Sequence, residues 1–389
     1  MKVLFFQLDN FKHSPFSAHL KKTSLELNKR GHSVSVVLVD RPGFQDLPEG
    51  VDGFLIGQKL KKLSFIPKHY LAIGELVKIL NREKPDLVIA RGVSFGVPAS
   101  IAAMFCKNKP KVFVTIHSII KNDIEHKTHR SYLVLPLLVK LLGRCADLIL
   151  PVSKGISSDY ERILGGKEKI RTVHDPIISN TSSILSRHSI DNGDKFQGGC
   201  KNIPTLLTVG RLSPEKDYYT LIKAVKLLSA WREFRLYIIG GGVEEEKIKE
   251  FIKELRLTKV VIMLGRVDNV FKYMARSDVF VLASKFEGLG NVIVEALSTG
   301  CKVVSTDCPY GPAEILENGK YGVLVKTGDY EKLASAINCM LDIDIDRELL
   351  VSRAQDFSVE NHVDKILSYY QDCQGDSGKL PKSAIIRLS

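Results

Sequence analysis

Short β-branched or leucine-rich runs, each followed by a longer amphipathic stretch, recur along almost the whole chain, and this alternation most constrains how it can fold. A run of four or five apolar residues has no polar face to leave in water. It must be covered on both sides, and the amphipathic stretch that follows can form the covering helix and return the chain for another parallel strand. Strands are predicted in the first half at Val3–Phe6, Val34–Val39, Leu87–Ala90, Val112–Ile116 and Leu148–Val152. In the second half they are predicted at Thr205–Val209, Leu236–Ile239, Val260–Leu264, Val279–Ala283, Val303–Thr306 and Gly322–Val325. At 389 residues the chain is too long for one ordinary core, so two parallel α/β domains of roughly 100 to 200 residues are expected. Ile178–Asn202 is rich in Ser, Asn, Asp and Gly with little apolar period, and reads as a linker. The expected division is therefore 1–178, a linker at 179–202, a second domain at 203–373 and a disordered tail at 374–389, whose Ala384, Ile385 and Ile386 can dock weakly.

One stretch, Phe286–Leu297, places a carboxylate on each side of a glycine-flanked turn that opens into an apolar helix, with seven residues between Glu287 and Glu295. A turn containing Gly288 and Gly290 brings backbone N–H groups close to an anion, and the first turn of the helix adds unpaired donors and a favourable dipole. A phosphate can sit there, with Glu287 facing whatever the phosphate carries. Glu295, about one and a half turns into the helix, reaches a group behind it. A nucleotide sugar has this combination of parts. A second element, Leu206–Asp217, reads as a buried strand running into a turn that carries Arg211 and Lys216. Open parallel sheets bind ligands beyond the carboxyl ends of their strands, where both cations would lie. Arg offers a rigid fork to phosphate oxygens and Lys a mobile point charge.

The segments Val209–Lys216 (VGRLSPEK), Gly265–Asn269 (GRVDN), Phe280–Leu297 (FVLASKFEGLGNVIVEAL) and Ser305–Leu316 (STDCPYGPAEIL) together resemble the retaining glycosyltransferases of family 4, over roughly residues 200 to 330. The resemblance implies a GT-B fold, two Rossmann-like parallel-sheet domains facing each other across a cleft, with the nucleotide-sugar donor held mainly by the second. It implies transfer without a metal or other cofactor and with retention of anomeric configuration. By position in these motifs, Arg211 and Lys216 would hold the diphosphate, Glu295 the ribose hydroxyls and Glu287 the sugar hydroxyls. The Gly288, Leu289 and Gly290 amides would complete the donor site, and backbone near Arg266 would meet the base.

The first half departs from that family's pattern where its relatives carry a paired-glycine loop, because Ser14-Pro15 stands there and proline has no N–H for a phosphate. His117 fits better. It lies just past the predicted strand Val112–Ile116, at a position where relatives often have a histidine against the donor sugar, and it joins Glu287, Arg211 and Lys216 as a candidate catalytic residue. His13, His19 and His69 have no such support. Asp342-Ile343-Asp344-Ile345-Asp346 lacks the Gly and distal Glu of a calcium loop and reads as a solvated helix end. Gly240-Gly241-Gly242 lacks the third glycine of a dinucleotide turn, and Glu314 reads as a helix cap.

Charge is divided unevenly. Residues 1–190 carry 29 Lys and Arg against 16 Asp and Glu, a net +13, and the remainder comes to −1 of a total of +12. Such asymmetry points to an anionic partner for the first domain. Apolar residues interleave with the cations at Leu60–Tyr70 and Lys127–Arg144, which favours an anionic membrane surface over nucleic acid. The second patch is too short to span a bilayer, and it either lies on the interface or packs in the core. Seven scattered cysteines without a C-x-x-C pair point to reduced thiols in the cytoplasm, and the apolar run at the N-terminus is too short for a signal peptide.

The expected activity is transfer of a hexose or N-acetylhexosamine from a nucleotide diphosphate sugar, UDP-linked by expectation, to a glycan acceptor that is lipid-linked, on the inner face of the cell membrane. A GT-B epimerase or phosphorylase and a non-catalytic nucleotide-sugar-binding protein are the rival readings.

Overall fold

A computed structural model of the chain describes residues 1–7, 15–39, 47–58, 68–117, 131–179, 196 and 203–375. The first sheet is built from β1 (Lys2–Gln7), β2 (Ser33–Val39), β3 (Val51–Ile56), β4 (Leu87–Arg91), β5 (Lys111–Ile116) and β6 (Leu148–Pro151). The second comprises β7 (Thr205–Val209), β8 (Arg235–Ile239), β9 (Val261–Gly265), β10 (Val279–Leu282), β11 (Lys302–Thr306) and β12 (Val323–Val325). Helices α1 (Pro15–Lys29), α2 (Lys68–Leu71), α3 (Ile73–Glu83), α4 (Gly92–Met104), α5 (Ser131–Cys145) and α6 (Lys154–Leu164) accompany the first sheet. The second-half helices are α7 (Tyr218–Leu228), α8 (Glu245–Glu254), α9 (Phe271–Met274), α10 (Asn291–Ser298), α11 (Pro312–Ile315), α12 (Tyr330–Asp342), α13 (Arg347–Gln355) and α14 (Val359–Gly375).

All strand pairs are parallel, in the orders β3-β2-β1-β4-β5-β6 and β12-β11-β10-β7-β8-β9. Each sheet is doubly wound: the chain runs outward from its first strand to one edge, then returns to build on that strand's other side. The reversal leaves a crevice beyond the carboxyl ends of β1 and β4, and another beyond β7 and β10. Both faces of the sheets are covered. In the first sheet Leu4, Phe6, Val37 and Val39 join Leu76, Leu80 and Val97 in one core, whereas Val3, Phe5, Val36 and Leu38 join Leu20 and Leu27 of α1 in another.

Each predicted strand is present, and β3 is additional. Its sequence VDGFLI is diluted by Asp52 and Gly53, residues disfavoured in strands, and only Ile56 is fully buried, as suits an edge. The chain passes between domains twice at one place: Ile177 N–H donates to the Phe357 carbonyl (3.1 Å) and Val359 N–H to the Ile178 carbonyl (2.9 Å). After the second passage α14 returns to the first sheet, where Val363 and Ile366 pack with Leu87, Phe113 and Leu148. By packing, α14 therefore belongs to the first domain, against the expectation of a second domain continuing to 373. It also takes in Gln374 and Gly375, which the sequence assigned to the tail. Residues 376–389 lie outside the described residues. So does the expected linker after Ser179, except Phe196, which is buried against Tyr237 and Tyr273 at ring-centroid distances of 4.6 and 5.0 Å.

Helix α5 divides the second basic-apolar patch: Val139 and Leu142 are in the core, and Leu137 is 66% exposed. Ser14, Lys61, Lys62, Lys127 and Arg130 lie outside the described residues. Among the described residues no helix is long and apolar enough to cross a membrane, and Cys106, Cys145, Cys301, Cys308 and Cys339 are free thiols. The aspartate run ends two helices, with Asp342 paired to Arg232 (2.9 Å) and Asp346 capping α13 through Glu348 N–H (2.9 Å).

Candidate active site

The carboxyl ends of β7 and β10 bring two of the second-domain candidates, Lys216 and Glu287, together. Beyond β7 a single 3-10 turn, Pro214–Lys216, leads to Asp217, whose carboxylate caps α7 by accepting from Thr220 N–H (3.4 Å). Lys285 N–H donates to the Glu215 carbonyl (2.8 Å), tying this turn to the loop beyond β10. Lys216 Nζ consequently lies 2.5 Å from Glu287 Oε1, and Ser284 Oγ donates to the same oxygen at 2.6 Å. The pair is largely shielded, with the two side chains 17% and 11% exposed. Glu287 is further fixed by its N–H on the Pro309 carbonyl (2.9 Å).

Gly290, at φ 92°, is the N-cap of α10, a left-handed conformation that strains any residue with a Cβ. Gly288 closely approaches the other domain. A Cβ there would lie 2.8 Å from the His117 carbonyl oxygen. Leu289 between them is buried. Glu295 sits farther along α10 on the side facing α1. Burial pushes its carboxyl up, and the opposing charges of Lys22 and His19 hold that rise back. Lys22 Nζ also donates to the Ile177 carbonyl. Arg211 and Arg266 are exposed, and neither joins the Lys216–Glu287 pair. Arg266 Nε packs against the Gly240–Gly242 turn, 3.1 Å from where a Cβ on Gly241 would be.

His117, just past β5, faces a polar cluster that the sequence did not disclose. Its Nδ1 lies 3.1 Å from Asp175 Oδ1 and its Nε2 3.1 Å from Thr115 Oγ1. His19 Nδ1 stands 3.5 Å from the same Asp175 oxygen. From the second domain, Asn291 Nδ2 reaches Asp175 Oδ2 at 3.5 Å and His19 Nε2 at 3.4 Å. Burial would raise the Asp175 carboxyl, but the imidazoles of His117 and His19 outweigh it and hold the group well below the usual carboxylate range. Burial lowers His117, Asp175 opposes that, and Arg91 adds to the lowering. His19, which carried no expectation, thus stands in the cluster. Its place on α1 opposite Asn291 is set by tertiary packing alone. His69 stacks on Phe95 at 4.5 Å, and burial lowers it to about 4, as suits a core residue.

Glu314 does cap a helix, but one in the other domain. Its Oε2 accepts from Lys154 N–H at the start of α6 (2.7 Å), and its Oε1 meets His174 Nε2 (2.7 Å). Nearby, Tyr310 O–H donates to Asp159 (2.6 Å). The two walls of the cleft are therefore joined by polar contacts beside the glycine loop.

Chain comparisons agree with this architecture. Residues 17–179 match the family model described as Glycosyltransferase Family 4, and residues 193–357 match that described as Glycosyl transferases group 1. The chain is 33% identical over 304 residues, 76% of each chain, to the N-acetylgalactosamine-N,N'-diacetylbacillosaminyl-diphospho-undecaprenol 4-alpha-N-acetylgalactosaminyltransferase of Campylobacter jejuni. It is 23% identical over 300 residues to the lipopolysaccharide 1,6-galactosyltransferase of Escherichia coli, covering 76% of this chain and 77% of that one. Among solved structures, the apo form of the lipopolysaccharide outer core galactosyltransferase WaaB superposes with a TM-score of 0.73 at 19% identity, covering 95% of this chain and all (100%) of the other. Anabaena HepE in complex with UDP and glucose superposes at 0.72 with 21% identity, covering 96% and 100%. With two doubly wound domains meeting at a glycine loop and a Lys–Glu pair, the chain belongs to glycosyltransferase family 4 and is a glycosyltransferase of the GT-B fold.

Proposed function

We propose that the protein transfers a hexose or N-acetylhexosamine from a nucleotide diphosphate sugar, a UDP-sugar by preference, to a lipid-linked glycan with retention of configuration, at the cytoplasmic face of a membrane. The observation that carries this reading is the Lys216–Glu287 pair at 2.5 Å beside the loop that opens α10. A cation for the diphosphate and a carboxylate for the sugar hydroxyls are thereby adjacent, as phosphate and sugar are in the donor. In this reading Arg211 and Lys216, with the Gly288, Leu289 and Gly290 amides, stabilise charge on the departing diphosphate, and preorganised groups of this kind usually supply the largest share of catalysis. Glu295 holds the ribose, and backbone near Arg266 the base. The lipid-linked acceptor is suggested by the Campylobacter jejuni relative, whose name specifies a diphospho-undecaprenol substrate, and the UDP donor by the ligands of HepE.

The bond between the anomeric carbon and the diphosphate oxygen breaks as the acceptor oxygen bonds the same carbon on the same face. The acceptor's proton passes to the leaving phosphate, giving a glycoside and a nucleoside diphosphate. Glu287 orients the sugar, and no covalent adduct forms on it. Charge neutralisation by Arg211 and Lys216 makes a metal unnecessary.

The test combines a thermal-shift screen across UDP-, GDP- and ADP-sugars with turnover on polyprenyl-diphosphate glycans, since a donor at concentration [L] stabilises by RT ln(1+[L]/Kd). The expected outcome is a UDP-sugar shift and transfer that survives EDTA, with an α-linked product from an α-linked donor. A product of inverted configuration, a glycosyl adduct on Glu287 by mass spectrometry, or activity lost in EDTA and restored by Mg²⁺ would each remove part of the reading.

A further inference from the structure

We propose that Asp175 is the positioning residue for His117: its carboxylate holds the imidazole with the proton on Nδ1, so that Nε2 serves as a hydrogen-bond acceptor for a sugar hydroxyl. The inference deepens the donor-site reading above and rests on the donor sugar lying between Glu287 and His117. Asp175 is only 5% exposed and faces two imidazoles, His117 at 3.1 Å and His19 at 3.5 Å. A buried carboxylate stays ionised only where charge or hydrogen bonds compensate it, and this one is held well below the usual range by those rings. An ionised carboxylate has acceptors alone, so the ring nitrogen it faces must donate. That nitrogen is Nδ1, and the neutral ring then carries a lone pair on Nε2, which accepts the Thr115 hydroxyl at 3.1 Å. Nε2 has a single lone pair, so a sugar hydroxyl that donates to it takes the place of the Thr115 hydroxyl.

Among the described residues, the other charged and titratable groups around the ring are Arg91 at the end of β4, His19 on α1 and His362 on α14. Burial and Arg91 both favour the neutral ring, and Asp175 opposes them. The carboxylate is also reached from across the cleft. Asn291, the first residue of α10, brings its amide within 3.5 Å of Oδ2. The helix that begins at the glycine loop therefore touches the group that orients His117. Such an arrangement matches the role of an aspartate behind a catalytic histidine, where replacing Asp by Asn keeps the shape and favours the wrong tautomer.

Side-chain ¹⁵N NMR of the full chain tests this, with the His117 signals assigned by their loss in His117→Ala. The expected wild-type spectrum shows the Nδ1–H tautomer, and an Nε2–H ring would overturn the proposal without any variant. In Asp175→Asn the amide can donate to Nδ1, so the Nε2–H form should appear. Transfer should then fall at least about tenfold, mainly in kcat, and the limb of the pH profile that reports His117 should move to lower pH. Wild-type tautomer and pH profile in a folded Asp175→Asn protein, with only a lower melting temperature, would reduce Asp175 to a structural part and overturn the proposal. If His117→Ala transfers at the wild-type rate while the Nδ1–H form is seen in the wild type, the placement of the sugar against His117 is what fails.

Discussion

Lys216 and Glu287 are 71 positions apart in the chain and 2.5 Å apart in space. Because both are largely shielded, removing one leaves the other's charge poorly compensated, and the loss exceeds that of an exposed pair. Lys216→Ala should lower transfer on the order of 10²-fold or more. Arg211→Ala should do the same, its exposed fork being free to close on phosphate oxygens. Steady-state kinetics with saturating acceptor measures both, and near-wild-type turnover in the pair of variants would end the diphosphate assignment. The two glutamates should separate in kind. Glu295→Ala is expected to weaken donor binding, measured as KM and by calorimetry, because its proposed target is the ribose, remote from the reacting bonds. Glu287→Ala is expected to lower kcat, because its proposed target is the sugar that changes charge. Equal effects on both parameters from both variants would refute that division. These residues were legible in the sequence since each sits at a fixed offset from a strand end or within one short loop. Asp175, His19 and Asn291 were not, because their meeting depends on three segments converging from different parts of the fold.

At the scale of elements, α10 is governed by Gly290. An L-residue held in the left-handed region costs about 1–2 kcal/mol, so Gly290→Ala should lower the unfolding free energy from urea titration by that much and raise the donor KM as the first turn of α10 shifts. A variant that leaves both unchanged would show the loop to be more permissive than a φ of 92° implies. Elements with uninterrupted apolar runs were predicted from sequence. Strand β3 was missed because Asp52 and Gly53 break its run and its edge position asks for little burial. The partner of α14 was equally hidden. Its apolar spacing shows a helix with one face to bury, but not that Val363 and Ile366 bury it on the sheet formed by the start of the chain.

For the whole molecule, the net +13 of residues 1–190 is the property to test. Cations near an anionic surface contribute about 1 kcal/mol each and lose most of that beyond a Debye length of roughly 8 Å at physiological salt. The protein should therefore co-sediment with anionic vesicles and be released by salt. Neutralising Lys61, Lys62 and Lys68 together, or Lys127, Arg130, Lys140 and Arg144 together, should release it without unfolding it. Leu137 and Leu141 on the outer side of α5, 66% and 36% exposed, would add an apolar contact beside Lys140 and Arg144. Indifference of the wild type to anionic lipid would assign the charge to another partner and favour a soluble acceptor.

The sequence by itself determined that there are two parallel-sheet domains and where all but one of their strands lie, because burying a short apolar run on both sides is a local demand written in consecutive residues. It also determined which loop carries the glycines and which cations and carboxylates flank it. Only the tertiary structure decided that α14 closes the first domain, that Glu314 caps a helix of the opposite domain, and that one buried aspartate faces two histidines and the first residue of the donor-side helix. Those contacts join residues 58 or more positions apart, and their partners are chosen by how elements pack within and between the domains, a long-range geometry that no local period or spacing encodes.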